Sequence, residues 1–244
     1  MTKRRETIMN IGIVTAMEAE REQVDSLLSE KEALSEGPFR FMKGMIGYNR
    51  VILMQCGIGK VNAAVGTVEL IRRFQPDCLI STGVAGGIDT RLNVMDVVAS
   101  RQVVYHDVWC GEGNEYGQVQ NFPARFEGNE TLMDCALKLK TDMKIYDGLI
   151  CSGDQFITAG ERLKQIKRRF SEGLAVDMES GAIAQVCYLY AVPFISFRTV
   201  SDTPEAENSW QQYTDFWKTI ADRSFSVTRA FLNALPQTLS LNSI

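Results

Sequence analysis

The chain has 244 residues, 45% of them hydrophobic, enough to bury a full core in one large α/β domain. Its 26 Lys and Arg against 30 Asp and Glu leave a net charge of −4, so there is no basic footprint for nucleic acid, and no apolar run approaches the ~20 residues needed to span a bilayer. A single histidine, His106, and six widely spaced cysteines with no CxxC pair argue against an imidazole metal centre, a zinc site or a redox pair, and read as buried thiols of a reducing cytoplasm.

The N-terminal MTKRRETIMN is basic but lacks the apolar stretch of a signal peptide. Residues 1–8 are therefore expected to form a disordered leader, residues 9–235 the folded domain and residues 236–244 a frayed tail. Residues 10–16 (NIGIVTA) are a continuous apolar run of strand length. Met17-Glu18-Ala19-Glu20 then opens a helix with Val24, Leu27 and Leu28 on its inner face. Three glutamates crowd its first turns, where acids favour the helix dipole. A third acid there, pointing back over the strand end, would face a ligand cleft. Residues 39–45 and 51–56 read as strands, and Tyr48-Asn49 between them suggests a hairpin. The glycine-bearing turn Gly57-Ile58-Gly59-Lys60 leads into a helix carrying Val61, Ala64, Val65, Val68 and Ile71. Such a turn can cradle phosphate or simply pack close to the sheet, and the P-loop pattern is absent.

Residues 78–89 (CLISTGVAGGID) form another apolar strand ending in glycines, which let backbone approach a ligand. Residues 94–105 contain two further strand-like runs. Residues 107–126 are long, polar and glycine-rich, the profile of a functional or partner-bound loop. A helix over 129–140 and a strand over 146–151 follow. Ser152-Gly153-Asp154-Gln155-Phe156-Ile157 then puts an aromatic ring at a strand end, suited to stacking a planar base or to filling core. Basic residues over 164–169 follow helical spacing and read as a solvated face.

Residues 174–202 read as strand, helix, strand, with Ala182, Ile183, Val186, Leu189 and Tyr190 as the apolar stripe of the helix and Pro193 its end. The pattern predicts a βαβ unit with parallel strands. Asp177 and Glu179 fall where its first strand becomes the helix, and Arg198, Ser201 and Asp202 where its second strand ends. In open α/β sheets both places lie at the ligand-binding carboxyl edge, although Asp177 is equally a helix cap. A polar segment and a final helix with Trp217, Ile220, Ser224, Val227 and Phe231 on its seam complete the chain.

The motifs IGIVTAMEAE, GIGKVNAA, STGVAGG, YHD, EYGQ, SGDQFI, AVDMES and RTVSD, in this order, resemble those of the 5′-methylthioadenosine/S-adenosylhomocysteine nucleosidases, within the nucleoside phosphorylase superfamily. The resemblance implies a single-domain, three-layer α/β/α fold with a central mixed, mostly parallel twisted sheet. It also implies a homodimer, no metal or organic cofactor, and a small-molecule nucleoside as substrate. By that resemblance Glu20 matches the water-activating base, Met178 and Glu179 the ribose-binding pair, and Asp202 the acid that protonates adenine N7. Phe156 and Ile157 match adenine-binding positions, and Ala85 and Gly86 line the same pocket. Met17, Ile58 and Tyr213 would contact the ribose or the 5′-thio group, while Arg198 and Ser201 support the water and the acid.

Three positions depart from the family pattern. Val84 stands where many relatives have serine, Asp177 replaces a more usual glutamate, and the loop after His106-Asp107 is shorter and different. In the family that loop reaches across the dimer to the neighbour's 5′-thio pocket. A phosphorylase would need cationic and hydroxyl groups for phosphate, and the side chain of Val84 cannot hydrogen-bond an anion, which favours water as nucleophile. Hydrolysis of another 5′-modified nucleoside such as 6-amino-6-deoxyfutalosine, phosphorolysis, and non-catalytic nucleoside binding are the rival readings.

Overall fold

The computed structural model describes residues 8–158, 160–204, 208–219 and 221–235. Most of the expected leader, the tail from residue 236, Ile220 and the side chain of Ser224 lie outside the described residues.

The strands are β1 (Asn10–Thr15), β2 (Ser29–Glu36), β3 (Phe39–Ile46), β4 (Asn49–Gln55), β5 (Cys78–Gly87), β6 (Val97–Tyr105), β7 (Phe126–Glu127), β8 (Ile145–Ser152), β9 (Gly173–Asp177) and β10 (Phe194–Asp202). The helices are α1 (Glu18–Asp25), α2 (Lys60–Phe74), α3 (Glu130–Leu137), α4 (Glu161–Arg169), α5 (Ser180–Tyr190), α6 (Ser209–Thr219) and α7 (Ala221–Ala234). All strands join one mixed sheet in the order β10-β6-β8-β9-β5-β1-β4-β3-β2, with β7 on β6. β1 lies between β4 and β5, parallel to both, so Ile13 faces Leu53 on one side and Ile80 on the other.

The continuous apolar runs arise because this sheet is covered on both faces. Along β1 and β4, Val14, Ile52 and Met54 point to a layer that holds Ala63, Leu70, Ile183 and Val186 from α2 and α5. The alternate residues Ile11, Ile13, Val51 and Leu53 point to the opposite layer, with Val24, Leu132 and Phe231 from α1, α3 and α7. The expected three-layer α/β/α arrangement is therefore present.

One expectation about direction fails. β5 is parallel to β10 but antiparallel to β9, so β9 and β10 run in opposite directions and the stretch from 174 to 202 is not a parallel βαβ unit. The cause is closure of the sheet on itself, for β5 pairs with β10 as well as with β9 and β1. At that closure Gly86 is paired with Val176 and with Asp202, so the carboxyl ends of β9 and β10 meet across one glycine. A Cβ there would lie 3.3 Å from Val176 Cγ2 and 3.4 Å from Asp202 Oδ2.

Smaller differences have local reasons. α1 ends at Asp25, so Leu27 and Leu28 follow the helix rather than sit on it. β2 was not expected, because its sequence SEKEALSE is that of a charged edge strand without an apolar face. Residues 94–105 make one strand, not two, and the C-terminal segment is two helices, not one. The inner face of α2 is Ala63, Gly66, Thr67, Leu70 and Ile71, while Val61 and Val65 are exposed. Small residues take the sheet side because the fit is tight: a Cβ on Gly66 would come 2.8 Å from Met54 Cε. Leu189 and Tyr190 at the end of α5 are likewise exposed rather than on the inner stripe.

Candidate active site

Strand ends and the turns that follow them enclose one cleft. β1 and its turn contribute Ala16, Met17 and Glu20, and the β4–α2 turn contributes Ile58. The end of β5 supplies Val84, Ala85 and Gly86, and the segment after β8 supplies Gln155, Phe156 and Ile157. The β9–α5 junction adds Val176 to Glu179, the end of β10 adds Ser201 and Asp202, and α6 adds Tyr213. Of the site residues expected from sequence, only Arg198 is not on this wall; it lies beneath it, 1% exposed.

Of the three glutamates opening α1, Glu18 and Glu22 are exposed and Glu20 is buried. Glu20 Oε2 accepts from the backbone N–H groups of Ala16 at 2.9 Å and Met17 at 3.0 Å, the return contact of a helix capping box. Its Oε1 reaches across to accept from the Val84 N–H at 3.0 Å. Both readings of this residue therefore hold: it caps its helix and it faces the cleft. Burial pushes its carboxyl above the ordinary range, while Arg198 and the three backbone donors pull the other way. The last residues of β5 must come very close for this contact. A Cβ on Gly83 would lie 2.6 Å from Glu20 Cδ and 2.7 Å from Arg198 Nη1.

Arg198 is the buried cation of the site. Its Nη2 is 2.8 Å from Asp177 Oδ2 and 3.8 Å from Glu179 Oε2, and donates to Ser81 Oγ at 2.8 Å. Asp177 also accepts from the backbone N–H and hydroxyl of Ser180 at the start of α5, so it holds the first N–H of that helix, whose N-cap position is Glu179, as well as the arginine. Glu179 turns toward α2, where its Oε1 accepts from the Gly59 N–H at 3.0 Å. Burial pushes Glu179 up to about 7, against the pull of Arg198 and with the push of Asp177. Burial also lifts Asp202 to about 6, opposed by the hydroxyl of Ser201, which donates to its Oδ1 at 2.8 Å. Three carboxyls that share one cleft thus have proton affinities drawn toward neutrality, the condition for general acid–base work.

The mouth of the cleft is aromatic. Phe156 is about half exposed and meets Tyr213 edge-on at 5.4 Å and Trp210 edge-on at 5.6 Å between ring centroids. The Tyr213 hydroxyl lies 3.5 Å from Met17 Sδ. Ile157, beside Phe156, is buried. None of the described residues lining the cleft is Lys, Arg or His. Ser81 is fully buried off this wall, its hydroxyl oxygen accepting from Arg198, and Val84 offers only an N–H, already given to Glu20. A phosphate dianion would find no cationic partner on this wall. Among the described residues no group of three or more His, Cys, Asp or Glu is placed to hold a metal ion.

Sequence reasoning missed Gln155 on the wall and the backbone N–H groups of Ala16, Met17, Gly59 and Val84 that hold the carboxylates. No side-chain signal marks a backbone donor, although the glycines around Gly59 and Gly83 mark where backbone comes close.

Comparison with known proteins places these observations. Residues 10–233 match the phosphorylase superfamily. A 5′-methylthioadenosine/S-adenosylhomocysteine nucleosidase of Actinobacillus succinogenes is 40% identical, over 93% of this chain and all of that protein. The adenine complex of such a nucleosidase from Colwellia psychrerythraea superposes with a TM-score of 0.88 at 35% identity, covering 95% of this chain and 98% of that one. The Neisseria meningitidis enzyme in complex with methylthio-immucillin-A gives a TM-score of 0.87 at 35% identity, over 93% of this chain and 100% of that one.

Proposed function

This chain belongs to the phosphorylase superfamily and, within it, to the 5′-methylthioadenosine/S-adenosylhomocysteine nucleosidases, and from that membership we propose how its own residues do the chemistry. It hydrolyses the N-glycosidic bond of 5′-methylthioadenosine and S-adenosylhomocysteine, releasing adenine and the 5-thioribose. Breaking that bond builds positive charge on the sugar and negative charge on the base. Glu20 takes a proton from the attacking water, Glu179 holds the ribose hydroxyls with Met178 against the sugar, and Asp202 delivers a proton to adenine N7. Phe156 stacks on the leaving base, with Ile157, Ala85 and Gly86 beside it. Met17, Ile58 and Tyr213 face the 5′-thio group. Arg198 balances the carboxylates from below, and Ser201 orients Asp202. The observation that carries this reading is the opening of three buried carboxyls, Glu20, Glu179 and Asp202, onto one cleft with no cation among the described residues of its wall.

The folded unit is one nucleosidase domain over residues 9–235, and it works as a homodimer. Support comes from the outward apolar residues of two neighbouring helices, Val61 and Val65 of α2 and Tyr188, Leu189 and Tyr190 of α5. Trp109, exposed on the loop after His106, is available to a neighbouring 5′ pocket. No helix among the described residues is long and apolar enough to cross a membrane.

The test is adenine release in phosphate-free buffer from methylthioadenosine, S-adenosylhomocysteine and 6-amino-6-deoxyfutalosine. Release from the first two without phosphate is expected. Activity that requires added phosphate overturns the water nucleophile, and a much higher rate on the futalosine moves the substrate assignment.

A further inference from the structure

Three motifs carry a polar residue with no part in the chemistry above: Lys60 after Gly59, Asp107 after His106, and Asp154 after Gly153. None of the three is on the cleft wall. They come from separate stretches of chain and close a circuit beside it. Lys60 Nζ lies 2.6 Å from Asp107 Oδ1 and 4.8 Å from the centroid of the Tyr105 ring. Asp107 Oδ2 accepts from the Asp154 backbone N–H at 2.9 Å. Asp154 Oδ1 in turn accepts from the Lys60 backbone N–H at 2.8 Å. The Lys60 and Asp107 side chains are only 22% and 17% exposed, so this pair is not an ordinary solvated ion pair.

What the circuit grips is next to what reacts. The N–H one residue before Lys60, that of Gly59, is the donor to Glu179. Two consecutive N–H groups at the start of α2 therefore each hold a carboxylate, Glu179 in the cleft and Asp154 behind it. Gly59 has φ of +93°, and a Cβ on it would sit 3.0 Å from Asp154 Oδ1, so this backbone position is confined by the same contact. Two residues beyond Asp154 is Phe156, and directly beyond Asp107 begins the loop running to residue 125.

We propose that Lys60, Asp107 and Asp154 are positioning residues for the reaction, a clamp that keeps the Gly59 N–H on Glu179 and ties the ribose side of the cleft to the Phe156 segment and to the root of the 107–125 loop. This rests on the ribose-binding role of Glu179 given above. The clamp acts through Glu179, so its loss falls on recognition of the ribose hydroxyls more than on departure of the base.

The experiment compares Lys60→Met, Lys60→Arg, Asp107→Asn and Asp154→Asn with the unaltered enzyme on methylthioadenosine and on its 3′-deoxy counterpart, with Glu179→Gln as reference and thermal unfolding as a control for folding. Expected is a rise in KM for methylthioadenosine of roughly 10–100-fold in Lys60→Met, with a smaller change in kcat. The preference for the 3′-hydroxyl should collapse toward that of Glu179→Gln, and Lys60→Arg should recover part of it. Equal losses on both substrates, or an unchanged preference in folded variants, overturn the clamp. If Lys60→Met does not fold, the near-isosteric Asp107→Asn decides the matter by the same ratio. Failure of the unaltered enzyme to release adenine at all would count against the proposed function instead.

Discussion

At the scale of single residues, the site is a balance between burial and a few fixed donors. Glu20 is held by three backbone N–H groups and lies over a buried arginine, yet burial still raises its proton affinity. Glu20→Gln keeps the shape and most of the hydrogen bonds but removes the proposed base. Turnover should fall by roughly 10²–10⁴-fold with nucleoside binding retained, as read by adenine release and calorimetric titration. Unchanged turnover would remove Glu20 from the mechanism. Asp202 lends itself to a stability measurement. Burial lifts it from an ordinary 3.8 to about 6, so the folded state favours its protonated form. Below the unfolded value both states are protonated and nothing is lost. As pH rises through about 6 the folded state carries the full penalty, on the order of 3 kcal/mol at ~1.4 kcal/mol per pH unit. Asp202→Asn should therefore be more stable than the unaltered protein at pH 7 and about equal to it at pH 4, while losing activity. A stability gap that does not widen with pH would refute the burial account. Glu179 and Asp202 were legible as candidates because acids stood at the ends of apolar runs, whereas position left Glu20 one of three glutamates opening its helix and only the family resemblance singled it out. The backbone donors that hold Glu20 and Glu179 were not legible, since any residue type can supply an N–H.

At the scale of elements, the glycines at the end of β5 decide how near the carboxylates come to one another. Gly83→Ala would force a methyl into Glu20 and Arg198. The expected cost is ~1–3 kcal/mol of stability, by denaturant unfolding, with a loss of activity larger than that destabilisation alone would cause. An alanine variant with full activity would show that β5 has room to move. The strand interiors were readable from their apolar runs, and the hairpin of β3 and β4 from the break between them. The inner face of α2 was not. The sequence offers Val61, Ala64, Val65, Val68 and Ile71 as its apolar residues, whereas Ala63, Gly66, Thr67, Leu70 and Ile71 take the sheet side and Val61 and Val65 face out. Helical periodicity finds a stripe but does not say how close the opposing sheet approaches.

At the scale of the whole molecule, those outward residues matter. An exposed apolar strip on α2 and α5 is costly for an isolated chain and is the expected core of a self-complementary dimer face. Leu189→Arg at its edge should shift sedimentation from dimer toward monomer, with little change in secondary structure. A variant that sediments as the unaltered protein does would place the interface elsewhere. The loop over 107–125 belongs to this scale too: Val108, Val119 and Phe122 pack it onto the core and Trp109 stacks on Tyr116, yet Trp109 keeps an exposed face.

What the sequence by itself determined is chiefly local: which stretches are buried on both faces, where they end, and that acids and glycines gather at those ends. Hydrophobic period and turn chemistry act over a few residues, so they can be read without knowing the partners of a segment. Only the tertiary structure decided that β9 and β10 run in opposite directions, and that β5 joins both so that Val176 and Asp202 meet at Gly86 and Asp177, Glu179 and Asp202 line one cleft. Strand direction and closure of the sheet come from pairings between residues about ninety or more apart in the chain, as with Gly86 and Val176, and no short window of sequence carries that information.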